Sequence, residues 1–119
     1  MKPLGWIGSA KADLLESPPD VIREIGHALY VAQTGGKHTT AKPLKGFRGA
    51  GVLEVVDDDD GDTYRAVYTV RFAGVVFVLH AFQKKATHGI ATPARELDTV
   101  RRRLARAEKD YAAWQSDKP

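Results

Sequence analysis

The chain has 119 residues, 43% of them hydrophobic and 28% charged, which is the balance of a soluble globular protein rather than of a disordered or membrane-spanning chain. That length holds one compact domain, expected over residues 1–119, and its lack of cysteine excludes disulfide staples, thiolate metal centres and cysteine nucleophiles. A formal net charge of +3 permits a nucleic-acid partner without demanding one. No apolar run reaches the roughly 20 residues of a membrane span and the N-terminus lacks the long apolar stretch of a signal peptide, so a cytoplasmic location and no membrane partner are expected.

In chain order, Ser9–Leu15 reads as a short helix. Ser17, Pro18 and Asp20 then read as an N-cap with proline at the first helical position, opening a second helix over Pro18–Thr34. Val21, Ile25, Ala28, Leu29 and Ala32 recur along it at helical spacing, and Gly35-Gly36 supplies its stop. A short strand is expected near Pro43–Leu44, followed by strands over Val52–Val56, Thr63–Phe72 and Val75–Phe82 in a mainly antiparallel sheet. Asp57, Asp58, Asp59, Asp60 and Asp62 read as a solvated turn, because such a run would repel itself inside a strand or core. The run lacks the glycine and distal glutamate of a calcium loop; weak binding of a hard cation is the alternative reading. Thr92-Pro93 opens the last helix as Ser17-Pro18 opened the second. Leu97, Val100, Leu104, Ala107, Tyr111 and Trp114 form a narrow apolar stripe along it, read as packing within the domain, with a partner-protein groove as the alternative. Arg101, Arg102, Arg103 and Arg106 read as a solvated face rather than an RNA groove.

Basic residues gather in the middle of the chain. Lys42, Lys45 and Arg48 face the single acid Glu54 between Ala41 and Val56, and Arg65, Arg71, Lys84 and Lys85 lie in an acid-free stretch from Thr63 to Pro93. If Ala73-Gly74 is a two-residue hairpin loop, Arg65 lies opposite Phe82, Val67 opposite His80 and Thr69 opposite Val78 on one sheet face, while Ala66, Tyr68, Leu79 and Ala81 take the other. Arg65 and His80 become diagonal neighbours, and Lys84 continues the same face. Fixed cations there can hold a phosphate and neutralise charge developing on it, and the Phe82 ring can stack on an unpaired base. A one-residue slip would reverse the faces. The plainer readings are a hydrogen-bonded structural His80, an Arg65 paired with the acidic loop, and Lys84-Lys85 as strand-edge protection. There is no phosphate-binding loop, nucleophile elbow or helical histidine pair, and His27 and His38 fall in different elements, so no metal site and no cofactor are expected.

The order Trp6-Ile7-Gly8-Ser9, Lys42-Pro43-Leu44-Lys45-Gly46, Gly51-Val52-Leu53-Glu54, Tyr64-Arg65-Ala66-Val67-Tyr68 and Leu79-His80-Ala81-Phe82-Gln83-Lys84-Lys85, followed by Thr92-Pro93 and an arginine-rich helix, resembles the phage-derived HigB branch of the RelE/ParE toxin superfamily. The resemblance implies an α+β, RelE-like fold with two N-terminal helices packed on a twisted, mainly antiparallel sheet and a C-terminal helix. It implies the toxin of a type II toxin–antitoxin system, a metal-independent endoribonuclease that cuts messenger RNA in the ribosomal decoding site by attack of a ribose 2′-hydroxyl on the neighbouring phosphate.

By position, the resemblance makes Arg65 the contact to the reacting phosphate and Lys84 the basic residue after the last strand. Lys45 becomes a phosphate contact assisted by Lys85, His80 a proton donor and Glu54 a candidate general base. Lys42, Arg48 and Phe82 complete the expected RNA-binding set. The chain departs from the family pattern where Val55-Val56 and the aspartates follow Glu54, and where Lys42 replaces a carboxylate carried by some relatives. The implied partners are messenger RNA, the ribosome and a helix-turn-helix antitoxin, with operator DNA reached only through the antitoxin. Two other readings are a ParE-like inhibitor of DNA gyrase and a nonenzymatic, phage-derived nucleic-acid- or protein-binding module.

Overall fold

The computed structural model describes residues 1–47, 49–84 and 92–117. Among them the elements run β1 (Leu4–Trp6), α1 (Ala10–Leu15), α2 (Pro19–Gln33), β2 (Lys42–Pro43), β3 (Val52–Asp59), β4 (Asp62–Thr69), β5 (Val76–Lys84) and α3 (Ala94–Ser116). The fold is α+β. Its five-stranded mixed sheet has the order β1-β5-β4-β3-β2, with β1 parallel to β5 and every other pair antiparallel. Strand β1 has no counterpart in the sequence reading: three residues are too few to show an alternating pattern, and β1 exists because β5 supplies its partner. Gly5 permits that pairing, since a Cβ there would come within 2.7 Å of the Phe77 ring.

The two sheet faces carry separate cores. Leu14, Val21, Ile25, Ala28, Leu29 and Ala32 of α1 and α2 pack on Leu53, Val55, Ala66, Tyr68, Val76 and Val78. On the opposite face, Val100 and Ala107 of α3, helped by Leu97, Leu104 and Tyr111, pack on Val52, Val67, Phe77 and Leu79. The apolar stripe of the last helix is thus spent inside the domain as far as Tyr111, leaving Trp114 37% exposed.

Helix starts are shifted by one residue from expectation. Pro18 and Pro93, not Ser17 and Thr92, are the N-caps, and neither end has a side-chain capping bond. The fixed φ of proline pre-sets the entry into the first turn. Helix α2 ends at Gln33, one residue short of the expected Thr34, but on the expected glycines: Gly35 takes φ +90°, and the Gly36 and Gly35 N–H groups donate to Val31 O (2.9 Å) and Ala32 O (3.0 Å), the Schellman arrangement.

The acidic run is not a loop. Asp57, Asp58 and Asp59 belong to β3 and Asp62 to β4, and only Asp60 and Gly61 make the turn, both with positive φ as a type I′ hairpin requires. Pairing drives this: Asp57 sits opposite Tyr64 and Asp58 opposite Thr63, whose hydroxyl donates to the Asp58 carboxylate at 2.9 Å. Asp57 retains a penalty. Its pKa is raised, first by burial and then by Glu24, Asp59, Asp58 and Asp20. A folded-state pKa above the unfolded value means the native state binds the extra proton, so this penalty is present at neutral pH and is relieved as pH falls through the raised pKa. Asp57→Asn should therefore stabilise the fold at pH 7, and urea titrations should show the gain vanishing in acid as Asp57 takes up its proton.

The β4–β5 pairing follows the expected map through Arg65↔Phe82, Ala66↔Ala81 and Val67↔His80, then shifts to Tyr68↔Val78. Leu79 is the extra residue of a β-bulge. The expected Thr69–Val78 pair is therefore absent, Val78 joins the α2-side core, and Leu79 joins His80 on the α3 side instead of opposing it. Residues 70–75 connect the strands in place of a two-residue loop, and Phe72 within them is buried against Phe77 and Tyr111.

Tyr68 is fully buried, and its hydroxyl has no hydrogen-bond partner among the described residues. Burial pushes its pKa from 10 up to about 12. The unfolded chain loses this proton first, so stability should fall as pH rises from 10 towards 12, by at most about 1.4 kcal/mol per pH unit. Tyr68→Phe removes an unsatisfied polar group and should be neutral or stabilising by about 1 kcal/mol at pH 7, with a smaller alkaline loss. Chemical denaturation at pH 7 and pH 11 checks both effects.

Candidate active site and nucleic-acid interface

The strand register lays the candidate residues out in rows across the α3 face of the sheet. One row reads Lys42, Glu54, Val67, His80 from β2 to β5; the next reads Val56, Arg65, Phe82; the next Asp58, Thr63, Lys84. Side chains of paired residues share a face, so Glu54, Lys84 and His80 all lie one diagonal step from Arg65.

Arg65 and Glu54 are each only 5% exposed. The Arg65 Nη1 donates to Glu54 Oε2 at 3.3 Å and to Thr92 Oγ1 at 3.1 Å, and the Thr92 hydroxyl donates to the same Glu54 oxygen at 3.3 Å. Among the described residues, the ion pair of Arg65 is thus with a carboxylate of the adjacent strand rather than with the acidic hairpin. Glu54 and Thr92, with Lys42, Pro43, Leu44, Lys45, Gly46 and Leu97, line a cavity of about 640 Å³ between the β2 segment and the start of α3. Both lysines are exposed. The cavity therefore joins a cationic rim to a buried guanidinium–carboxylate–hydroxyl knot, which is the chemistry that binding an anion and accepting a proton require.

His80 belongs to a different network. Its Nε2 lies 2.9 Å from Glu96 Oε1, and its Nδ1 lies 3.3 Å from Arg103 Nη1. An arginine only donates, so Nδ1 is the acceptor and Nε2 carries the proton that Glu96 accepts. Arg103 also donates to Leu79 O at 3.0 Å and to Ser9 Oγ at 3.0 Å, and Ser9 in turn donates to Asp13 at 2.7 Å. The chain Glu96–His80–Arg103–Ser9–Asp13 ties α3, β5 and α1 together. The Phe82 ring stacks on His80 at 4.8 Å between centroids, and both residues line a smaller cavity of about 330 Å³ shared with Asp13, Glu16, Ser17, Tyr64 and Gln83.

The structure thus gathers Glu54, Thr92, Lys42 and Lys45 around one cavity with Arg65 bonded behind Glu54 and Thr92, keeps Lys84 on the same face beside Arg65, and pairs His80 with Phe82 on β5 of that face. Arg48 and Lys85 lie outside the described residues. Among the described residues no group of three or more histidine, aspartate or glutamate side chains could hold a metal ion.

The sequence reading took Thr92 only as the opening of the last helix and Arg103 as part of a solvated face, and it passed over Glu96; the structure instead binds Thr92 to Glu54 and ties Arg103 to Leu79, His80 and Ser9. The signal for Thr92, Glu96 and Arg103 lay in the helix phase: Glu96, Val100, Arg103 and Ala107 fall in steps of three and four, placing two charged residues on the buried stripe, and Thr92 precedes Glu96 by one turn.

The sequence profile of the family described as Phage derived protein Gp49-like (DUF891) matches residues 12–105. The chain belongs to this Gp49-like family. Gp49-like proteins are associated with RelE-type, toxin-like proteins, and membership is compatible with a toxin–antitoxin toxin. The Gp49-like match includes Glu54, Arg65, His80, Lys84, Thr92 and Arg103. No curated protein and no solved structure matches the chain. None of the described helices is long and apolar enough to cross a membrane.

Proposed function

We propose that this Gp49-like protein is the toxin of a type II toxin–antitoxin pair and a RelE-like endoribonuclease that cuts messenger RNA in the ribosomal decoding site. The observation that carries this reading is the buried Arg65–Glu54–Thr92 knot opening into a cavity rimmed by Lys42 and Lys45. The family association supports the toxin half of the reading.

In this scheme the phosphate 3′ to the attacking ribose is held by Arg65 with Lys45 and Lys42. Glu54 accepts the proton of the 2′-hydroxyl, O2′ bonds to phosphorus, and the P–O5′ bond breaks to leave a 2′,3′-cyclic phosphate. Arg65 and Lys84 neutralise the charge on the five-coordinate phosphorus, and the departing 5′-oxygen takes its proton from Lys84. Both ring nitrogens of His80 are bound by Glu96 and Arg103, so His80 acts here by holding Phe82 and the strand in place rather than as the proton donor. The ribosome positions the message, and a helix-turn-helix antitoxin neutralises the toxin in the cytoplasm.

Induction of the chain without its neighbour should stop growth, and primer extension on a reporter message should show new 5′ ends at codons in the reading frame. Lys84→Ala should relieve both effects while leaving the thermal unfolding transition in place. Growth arrest with intact messages and inhibited DNA gyrase would replace this reading with gyrase inhibition. A harmless wild-type chain would leave only a binding module.

A further inference from the structure

The Thr92 hydroxyl sits between the two groups that the nuclease reading assigns to the reacting ribose. It accepts from Arg65 Nη1 at 3.1 Å and donates to Glu54 Oε2 at 3.3 Å. A 2′-hydroxyl about to be deprotonated needs the same surroundings: a carboxylate oxygen to receive its proton and a guanidinium beside it to hold the adjoining phosphate. The hydroxyl position is thus built into the floor of the cavity, and the chain's own side chain fills it.

The backbone makes this occupant well suited to its place. Thr92 precedes Pro93, whose ring disfavours helical backbone at the residue before it, and Pro93 itself is extended at φ −58°, ψ 148°. Thr92 is β-branched, with few accessible χ1 states. Its hydroxyl is therefore aimed at Glu54 with little entropy left to lose.

We infer that Thr92 is a built-in surrogate for the ribose 2′-hydroxyl, a latch that RNA must displace before its own hydroxyl can reach Glu54. The inference rests on the nuclease reading of this cavity. In the latched chain the hydroxyl subsite contributes little to discrimination between RNA and DNA, because every incoming 2′-hydroxyl must first replace an equivalent bond. Vacating the subsite turns that exchange into a net gain for RNA and none for DNA.

The test measures binding of a single-stranded RNA decamer and the DNA of the same sequence to the purified chain, wild type, Thr92→Val and Thr92→Ser, by fluorescence anisotropy at fixed salt. Thr92→Val keeps the shape and removes the hydroxyl. It should raise the RNA-over-DNA affinity ratio by about five- to tenfold, a change that one recovered hydrogen bond provides. Thr92→Ser restores the hydroxyl and should return the ratio to within about twofold of wild type. A purely structural role for Thr92 would lower both affinities together and leave the ratio fixed, and a ratio unchanged in Thr92→Val overturns the latch while sparing the nuclease reading. If neither oligonucleotide binds any of the three proteins although all are folded by circular dichroism, the latch falls, while the nuclease reading is decided separately by cutting on programmed ribosomes.

Discussion

Arg65→Ala is expected to lose message cleavage by about 10²–10³-fold in single turnover, the usual effect of removing one preorganised donor to a developing oxyanion. It is also expected to lose about 3–5 kcal/mol of stability, because Glu54 stays buried with its cationic partner gone. The two losses separate in a double variant. Arg65→Met with Glu54→Leu replaces both charges with apolar volume, which in a buried pair is close to neutral for stability. Its urea midpoint should return most of the way to wild type while cleavage stays absent. Full cleavage by the refolded double variant would show that Arg65 and Glu54 serve only the fold.

The second large effect is predicted at Arg103. Its guanidinium is held by Leu79 O, His80 Nδ1 and Ser9 Oγ, and so fastens α3 to the bulge of β5 and to the start of α1. Two of these acceptors lie in partly buried surroundings, where a hydrogen bond from a charged donor contributes about 1.5–3 kcal/mol. Arg103→Ala should lower stability by about 2–4 kcal/mol, whereas Arg102→Ala, on the exposed face of the same helix, should change it by less than about 0.5 kcal/mol. Arg103→Lys keeps the charge but not the planar fork and should recover less than half of the loss. Equal effects at the two positions in equilibrium denaturation would contradict the geometry of the anchor.

That contrast marks where the sequence was legible. Four arginines in six residues read as one solvated face, yet Arg103 differs from its neighbours because it falls in phase with Val100 and Ala107. Parity alone placed Arg65, His80, Phe82 and Lys84 on one face, since cross-strand alternation is fixed once a single pair is right. It failed beyond Val67, because nothing in the composition of Val78-Leu79-His80 announces a bulge, and it misassigned Leu79 for that reason. The acidic run was misplaced because charge repulsion was weighed without the pairing energy of Tyr64 and Thr63 opposite it. Glu54 was a candidate from resemblance alone. Its bond to Arg65 comes from a diagonal across two strands, and its bond to Thr92 joins residues 38 positions apart, a contact that only the packed chain brings together.

The central claim, cleavage by the 2′-hydroxyl at the Arg65–Glu54 cavity, is tested most directly by the chemical ends of the cut. Purified protein is added to ribosomes programmed with a short message, and the fragments are resolved with and without phosphatase and cyclic-phosphate-opening treatment. The account predicts a cut in the decoding-site codon, a 2′,3′-cyclic phosphate on the upstream fragment and a 5′-hydroxyl on the downstream one, with no cut by the Arg65→Met, Glu54→Leu protein. An intact message at saturating protein, or fragments ending in a 3′-hydroxyl and a 5′-phosphate, would contradict it.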